Sequence, residues 1–235
     1  MLRSIKQSYG NKLGASDGEI GHIKDFYFDD QNWTIRYLVA DTSIWLPGRQ
    51  VLISPHSLAS LDVSGKVVRV NLTRQQIENS PPIESHKPVS RQYEEKYYRY
   101  YGWPYYWQGN ALWGMSGYPI LELPPKPLAN EPAMLGPQPE REVHLRSMQA
   151  VNGYLLRMGD ETVGHICDFM MDARNWAIGQ LAVKIGHRLS GKEILIPTKQ
   201  VDRISHDQST VFAHPTGEAV EQSHAQDVPY ESVHR

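Results

Sequence analysis

The chain repeats itself. Displaced by 143 residues, residues 2–80 lie on residues 145–223 without a gap, and 24 of the 79 aligned positions are identical. Average composition alone would give roughly 6% identity. Leu2-Arg3-Ser4 falls on Leu145-Arg146-Ser147, Gly21-His22-Ile23 on Gly164-His165-Ile166, and Asp25-Phe26 on Asp168-Phe169. Asn32-Trp33 falls on Asn175-Trp176, and Leu52-Ile53 on Leu195-Ile196. A period this long is not that of a solenoid, whose units run to about 20–50 residues. The repeat therefore predicts two similar domains, 1–80 and 144–223, joined by 81–143 and followed by a polar tail over 224–235.

Each copy reads as short strands broken by turn residues. Residues 20–28 and 33–41 are strand candidates, and Asp29-Asp30-Gln31-Asn32 between them supplies the chemistry of a hairpin turn. Asp172-Ala173-Arg174-Asn175 repeats it in the second copy. Ile23, Phe26 and Phe28, like Ile166, Phe169 and Met171, are spaced by three and then two. A strand places alternate residues on one face, so this spacing calls for one extra residue, a β-bulge, near Lys24-Asp25. Bulges bend strands, and bent strands suit a small closed barrel.

Later strands are expected over 50–54 and 66–72, matched by 193–197 and 209–215. Helical turns are expected over 55–61 and 198–204, and one short helix, N-capped by Thr73 or Thr216, over 73–79 and 216–222. The fold class is thus all-β: two small barrels with short helices. A barrel of about 80 residues buries a modest core, so the two copies are expected to pack about a pseudo-two-fold axis, or the chain to form a homodimer.

The connection differs in composition. It holds 11 of the 16 prolines and 11 of the 23 aromatic residues. All eleven aromatics fall within 93–118: Tyr93, Tyr97, Tyr98, Tyr100, Tyr101, Trp103, Tyr105, Tyr106, Trp107, Trp113 and Tyr118. Residues 119–139, with seven prolines, read as an extended spacer. Tyrosine and tryptophan give large contact area with a polar handle and are enriched in interface hot spots. Three uses compete for the aromatic stretch: packing back onto the barrels, lying at a membrane surface, or binding a partner chain. The partner-binding candidates are Tyr97, Tyr98, Tyr100, Tyr101, Trp103, Tyr105, Tyr106, Trp107 and Trp113.

Other chemistry is sparse. A net charge of −2, spread evenly along the chain, argues against a nucleic-acid partner. A single cysteine, Cys167, excludes an intramolecular disulfide and a cysteine-based zinc site, and nothing in its sequence neighbourhood supplies a base to make it a nucleophile. Asp25, Asp29, Asp30, Asp168 and Asp172 lack the ligand spacing of an EF-hand, so they read as turn formers and hydrogen-bond acceptors rather than a cation site. His22 and His165 occupy equivalent positions and read as surface or interface residues rather than a metal or pH-sensing pair. No phosphate-binding loop, zinc-protease motif or nucleophile elbow occurs. The chain is expected to be non-catalytic, without metal or cofactor. No run approaches 18 apolar residues, and residues 1–8 lack an apolar signal core, so the expected address is the cytoplasm.

Gly21-His22-Ile23-Lys24-Asp25-Phe26, Asp29, Ile35-Arg36-Tyr37-Leu38-Val39 and Leu52-Ile53-Ser54-Pro55 together resemble the PRC-barrel family, as does the ending from Val68 to Pro81. The second copy carries the pattern through Gly164, Asp168, Asp172, Leu195-Ile196-Pro197 and Thr216, so the resemblance spans both copies. The Tyr97–Trp107 stretch is similar to the aromatic stretch of stand-alone bacterial members. The family includes the cytoplasmic part of the photosynthetic reaction centre H subunit and a ribosome maturation factor that binds a small-subunit protein. The resemblance implies two tandem PRC-type barrels and, for function, a non-catalytic protein-interaction or scaffold protein with a protein partner or self-association. Two alternatives are an accessory factor of a membrane electron-transfer complex, associating peripherally with the membrane, and a small-molecule or ion-binding module in an inter-barrel cleft.

Overall fold

A computed structural model describes residues 2–47, 49–60, 65–82, 89–120, 145–185 and 192–214. In chain order the strands are β1 (Leu2–Ser4), β2 (Lys12–Ala15), β3 (Gly18–Asp29), β4 (Thr34–Asp41), β5 (Gln50–Ile53) and β6 (Val67–Arg69). Two helices follow, α1 (Arg74–Glu78) and α2 (Arg91–Tyr101). Then come β7 (Leu145–Ser147), α3 (Met148–Val151), β8 (Leu155–Met158), β9 (Glu161–Asp172), β10 (Ile178–Ile185), β11 (Lys192–Pro197), β12 (Val201–Ser205) and β13 (Thr210–Ala213). The described chain is mainly β, in two sheets. One runs β5-β4-β3-β2-β6 with β7 added to β3; the other runs β11-β10-β9-β8-β13-β12 with β1 added to β9.

The pairing repeats with the sequence. Lys12 faces His22 and Leu155 faces His165; Leu38 faces Ile53 and Leu181 faces Ile196. β2 runs parallel to β6, and β8 parallel to β13. The expected bulge is present: Ile23 pairs with Ala40 and Asp25 with Val39, leaving Lys24 as the extra residue. That step turns Ile23, Phe26 and Phe28 to one buried face. A second register shift, between Leu13 and Gly14, recurs between Leu156 and Arg157.

The chain divides into two compact units, and the division does not follow the repeat. The first unit is Met1–Val151 with Phe169–Gly179; the second is Asn152–Asp168 and the chain from Gln180 onward. Within the first unit each copy lends its opening strand to the other. β7 pairs with β3 (Tyr27 with Ser147, Asp29 with Leu145), and β1 pairs with β9 (Met170 with Ser4, Asp172 with Leu2). The hairpin ends are also joined: Ile35 N–H donates to Trp176 O over 2.9 Å and Ile178 N–H to Trp33 O over 2.6 Å. Trp33 and Trp176 both adopt left-handed backbone, at φ 49° and 63°. That conformation is costly for a bulky residue. It is held by these bonds and by packing, with Trp176 fully buried against Phe26 and Phe169 against Phe28. The second unit has its own core in Leu156, Ile166, Leu181, Val183, Ile196 and Val211.

Some local expectations are corrected. Thr73 does N-cap α1, with a complete capping box to Gln76. The turn at 55–61 is a single 3-10 turn, Pro55–Ser57, and that at 198–204 a 3-10 turn, Thr198–Gln200, running into β12. The connection contains a helix that was not expected, α2: Ser90 accepts the Tyr93 N–H at its start, and Gly102 in left-handed backbone ends it. The short strands β1, β2, β7 and β8 were also not expected, because three or four residues carry too little periodicity to read. The proline-rich spacer beyond Ile120, the helix over 216–222 and the tail lie outside the described residues.

Gly21 and Gly164 are identical across the copies for a steric reason. A Cβ on Gly21 (φ 126°) would overlap the carbonyl oxygen of Asp41, and one on Gly164 that of Lys184. Gly21→Ala is therefore expected to lower the unfolding free energy by more than about 1 kcal/mol in chemical denaturation. Gly117→Ala, which meets open space, is expected to stay within about 0.5 kcal/mol of the unaltered chain.

Candidate functional site

The aromatic stretch is built onto the first unit from α2 outward. On a helix, positions four apart share a face, and Tyr93, Tyr97 and Tyr101 do so, with ring centroids 6.0 and 4.9 Å apart. Trp103 continues the row, stacked on Tyr101 at 4.4 Å. Tyr97 and Tyr98 are fully buried, and the Tyr97 hydroxyl donates to Leu52 O over 2.6 Å. β5 would otherwise present that carbonyl at a sheet edge, so α2 covers the edge with a side chain rather than a strand. Beyond Gly102, Tyr105, Tyr106 and Trp107 gather round Tyr98, and bridges Ala111–Gly114 and Trp113–Ser116 tie the following loop. Trp113 is buried and its indole N–H donates to Asn175 O over 2.8 Å.

Two buried charged groups organise this layer. The Arg36 guanidinium lies 3.8 Å from the centre of the Tyr106 ring and 4.9 Å from that of Trp113. It donates to Leu112 O over 2.6 Å and to Asp29 Oδ2 over 3.2 Å. Burial alone would raise the Asp29 carboxyl, but Arg36 and the Asn32 donors outweigh it and hold it below the ordinary range. Glu94, on α2, accepts from the hydroxyls of Tyr37 and Tyr106 over 2.9 and 2.8 Å and from Arg91 over 3.1 Å. Burial, and then the carboxylate of Glu94, push the Tyr37 and Tyr106 hydroxyls well above their ordinary value. These phenols remain protonated donors at any physiological pH.

His56 is enclosed by the same rings. It stacks on Trp103 and meets Tyr98 and Trp113 edge-on, with the Trp113 centroid at 5.1 Å. Its Nδ1 bonds Ile120 O over 2.9 Å, which fixes the proton on Nδ1, since a carbonyl only accepts. Nε2 is buried with no hydrogen-bond partner among the described residues.

The nine partner-binding candidates therefore separate by exposure. Tyr97, Tyr98, Trp103, Tyr106 and Trp113 are buried; Tyr101, Tyr105 and Trp107 are half-buried; Tyr100 is 42% exposed although its hydroxyl donates to Gln76 O. Exposed apolar side chains cluster in sequence at the end of the stretch, with Met115 at 90% and Tyr118 at 55%, followed by Ile120. Met115, Tyr118, Glu94, Arg36 and His56 were not among the sequence candidates. A signal for the last two exists in the repeat: Arg36, Tyr37 and His56 are Gly179, Gln180 and Lys199 in the second copy. Three positions that seat the aromatic layer are thus ones where the copies differ.

Asp25, Asp29, Asp172, His22 and Cys167 have structural partners. Asp25 is buried and accepts from Ser147 Oγ over 2.5 Å, Gln149 N–H over 3.1 Å and Phe26 N–H over 2.7 Å. Burial raises its pKa against the pull of those donors and of Lys24. Asp29 and Asp172 each accept turn N–H groups, from Gln31 and Arg174. His22 lies 3.7 Å from Asp41, and the Cys167 thiol donates to Ala182 O. Comparison with protein-family models and with curated proteins gives no match to the chain.

Burial, and to a lesser degree Arg36, lowers His56 from the ordinary 6.5 to about 4. Above about pH 6.5 the group is neutral in both folded and unfolded chains. Between pH 6.5 and 4 only the unfolded chain binds the proton, so stability falls as pH falls, by about 3 kcal/mol in total. In denaturation series against pH, His56→Asn, which keeps a donor for Ile120 O, is expected to remove that portion of the slope. Trp113→Ala is expected to cost about 3–5 kcal/mol at neutral pH.

Proposed function

We propose that this chain is a non-catalytic protein-interaction or scaffold protein built from two PRC-type barrels, and that the loop closing the aromatic stretch makes the contact. The observation that carries the reading is Met115, 90% exposed beside Tyr118 on a loop whose neighbours Trp113 and Gly114 are buried. A braced loop loses little conformational freedom on binding, so its exposed apolar groups contribute more of their contact area to affinity. The buried aromatics then have a positioning role, and the contacting set is Tyr100, Met115, Tyr118 and the accessible faces of Tyr105 and Trp107.

Barrel closure in each copy is part of the same reading. In its favour are the bulged β3 and the parallel β2–β6 and β8–β13 pairings, which bring the last strand of each copy back to an early one. A pseudo-two-fold relation within the first unit accounts for the reciprocal registers of β1 on β9 and β7 on β3. As an accessory of a membrane electron-transfer complex, the chain would bring this loop to a membrane protein's exposed face. No helix among the described residues is long and apolar enough to cross a membrane.

The test separates contact from folding. Met115→Ser with Tyr118→Ser changes exposed side chains only, so the melting temperature is expected to stay within about 2 °C. Retention of the tagged chain on native membrane and soluble fractions is expected to fall at least about tenfold, a loss of roughly 1.4 kcal/mol. Unchanged retention in both fractions would remove the loop from the contact, and saturable turnover of a small molecule would overturn the non-catalytic reading.

A further inference from the structure

The methionines of the chain are unequally placed. Met148 and Met171 are buried, Met158 and Met170 are half-buried, and Met115 is almost wholly exposed. The backbone on both sides of Met115 is tied down. Ala111 N–H donates to Gly114 O over 2.9 Å, Trp113 N–H to Ser116 O over 2.8 Å, and Tyr118 N–H to Ser116 Oγ over 3.1 Å. The thioether lies against Gly109, where a Cβ would come 3.0 Å from Sδ. The sulfur thus stands at a fixed place on the surface, and Trp113 and Gly114, which carry the loop, are buried. A thioether supplies apolar contact area and also reacts with peroxides. A leucine there would supply similar area without the reactivity.

We propose that Met115 is a reversible oxidation site that regulates the contact made by this loop, an inference that rests on the contact assigned above. A hydroperoxide reaches Sδ from solvent and transfers one oxygen atom. The S–O bond forms as the O–O bond breaks, the sulfur is oxidised by two electrons, and the peroxide leaves as water or an alcohol. The proton of the transferred oxygen passes to the oxygen that leaves. Thiol-dependent sulfoxide reductases restore the thioether, the oxygen departing as water while two thiols join as a disulfide. The sulfoxide oxygen is a polar acceptor in an otherwise apolar contact, so association then carries the cost of burying it. Because Met148 and Met171 are shielded, oxidation alters the contact before it alters the core.

Brief treatment with hydrogen peroxide, followed by peptide mapping, tests this. Sulfoxide at Met115 is expected to accumulate at least about tenfold faster than at Met148 or Met171, with the melting temperature within about 2 °C of the untreated chain. Retention on the native membrane and soluble fractions is expected to fall at least about tenfold. It is expected to return after treatment with a thiol and the reductases of both sulfoxide epimers. Met115→Leu keeps Cys167 and every other methionine, and is expected to be retained equally before and after peroxide. Oxidation at Met115 no faster than at the buried methionines, retention that peroxide leaves unchanged, or an equal loss in Met115→Leu overturns the proposal. The contact is judged separately. If Met115→Ser with Tyr118→Ser lowers retention and the sulfoxide does not, the contact stands and its regulation fails; if neither lowers it, both fail.

Discussion

β3 is twelve residues long, and β2 pairs only with its first five, from Gly18 to His22. Backbone N–H and C=O groups buried without partners are costly. The far half of β3 therefore needs another strand on that side, and β7 supplies it. The same holds for β9, where β8 pairs with the first half and β1 with the last residues. Much else in the first unit follows from this one requirement. The buried Asp25, the Ser147 hydroxyl and the left-handed tryptophans at the hairpin ends all serve to seat a strand or hairpin from the other copy. The compact units consequently cut across the repeat, with Phe169–Gly179 belonging to the first.

The aromatic layer solves a second edge problem by different means. Where β5 has no further strand, α2 covers it with tyrosines, and several of the polar atoms this buries are returned to partners: Tyr97 to Leu52, Tyr37 and Tyr106 to Glu94, Trp113 to Asn175. Arg36 sits on two ring faces and an ion pair at once, so its removal would leave Asp29 buried without its counter-charge and the Leu112 carbonyl without that donor. Such a network specifies one arrangement because partial satisfaction is worse than none. The loop carrying Met115 and Tyr118 is an outgrowth of that layer.

What the sequence revealed and what it hid divide along physical lines. The hairpins, the bulge at Lys24 and the capped helix at Thr73 were legible because each has a local cause: turn residues, a break in period two, a capping box. The exchange of β1 and β7 was not, because a three-residue strand has no period and its partner lies over a hundred residues away. α2 was read as linker because eleven aromatics in a proline-rich stretch overshadowed Ser90, three residues before Tyr93, and the i, i+4 spacing of Tyr93, Tyr97 and Tyr101. The aromatics were recognised as special, but sequence does not distinguish a buried Trp113 from an exposed Tyr118. The positions where the repeats diverge, Arg36 against Gly179 and His56 against Lys199, are the part of the sequence that marks where the layer sits.

That one copy completes the other is the claim on which the rest stands, and cutting the chain between Ile120 and Leu145 tests it most directly. With a protease site placed there and the folded protein cleaved, the account predicts that both pieces migrate as a single particle with unchanged tryptophan fluorescence. Separation of the pieces into two folded species without denaturant would contradict it.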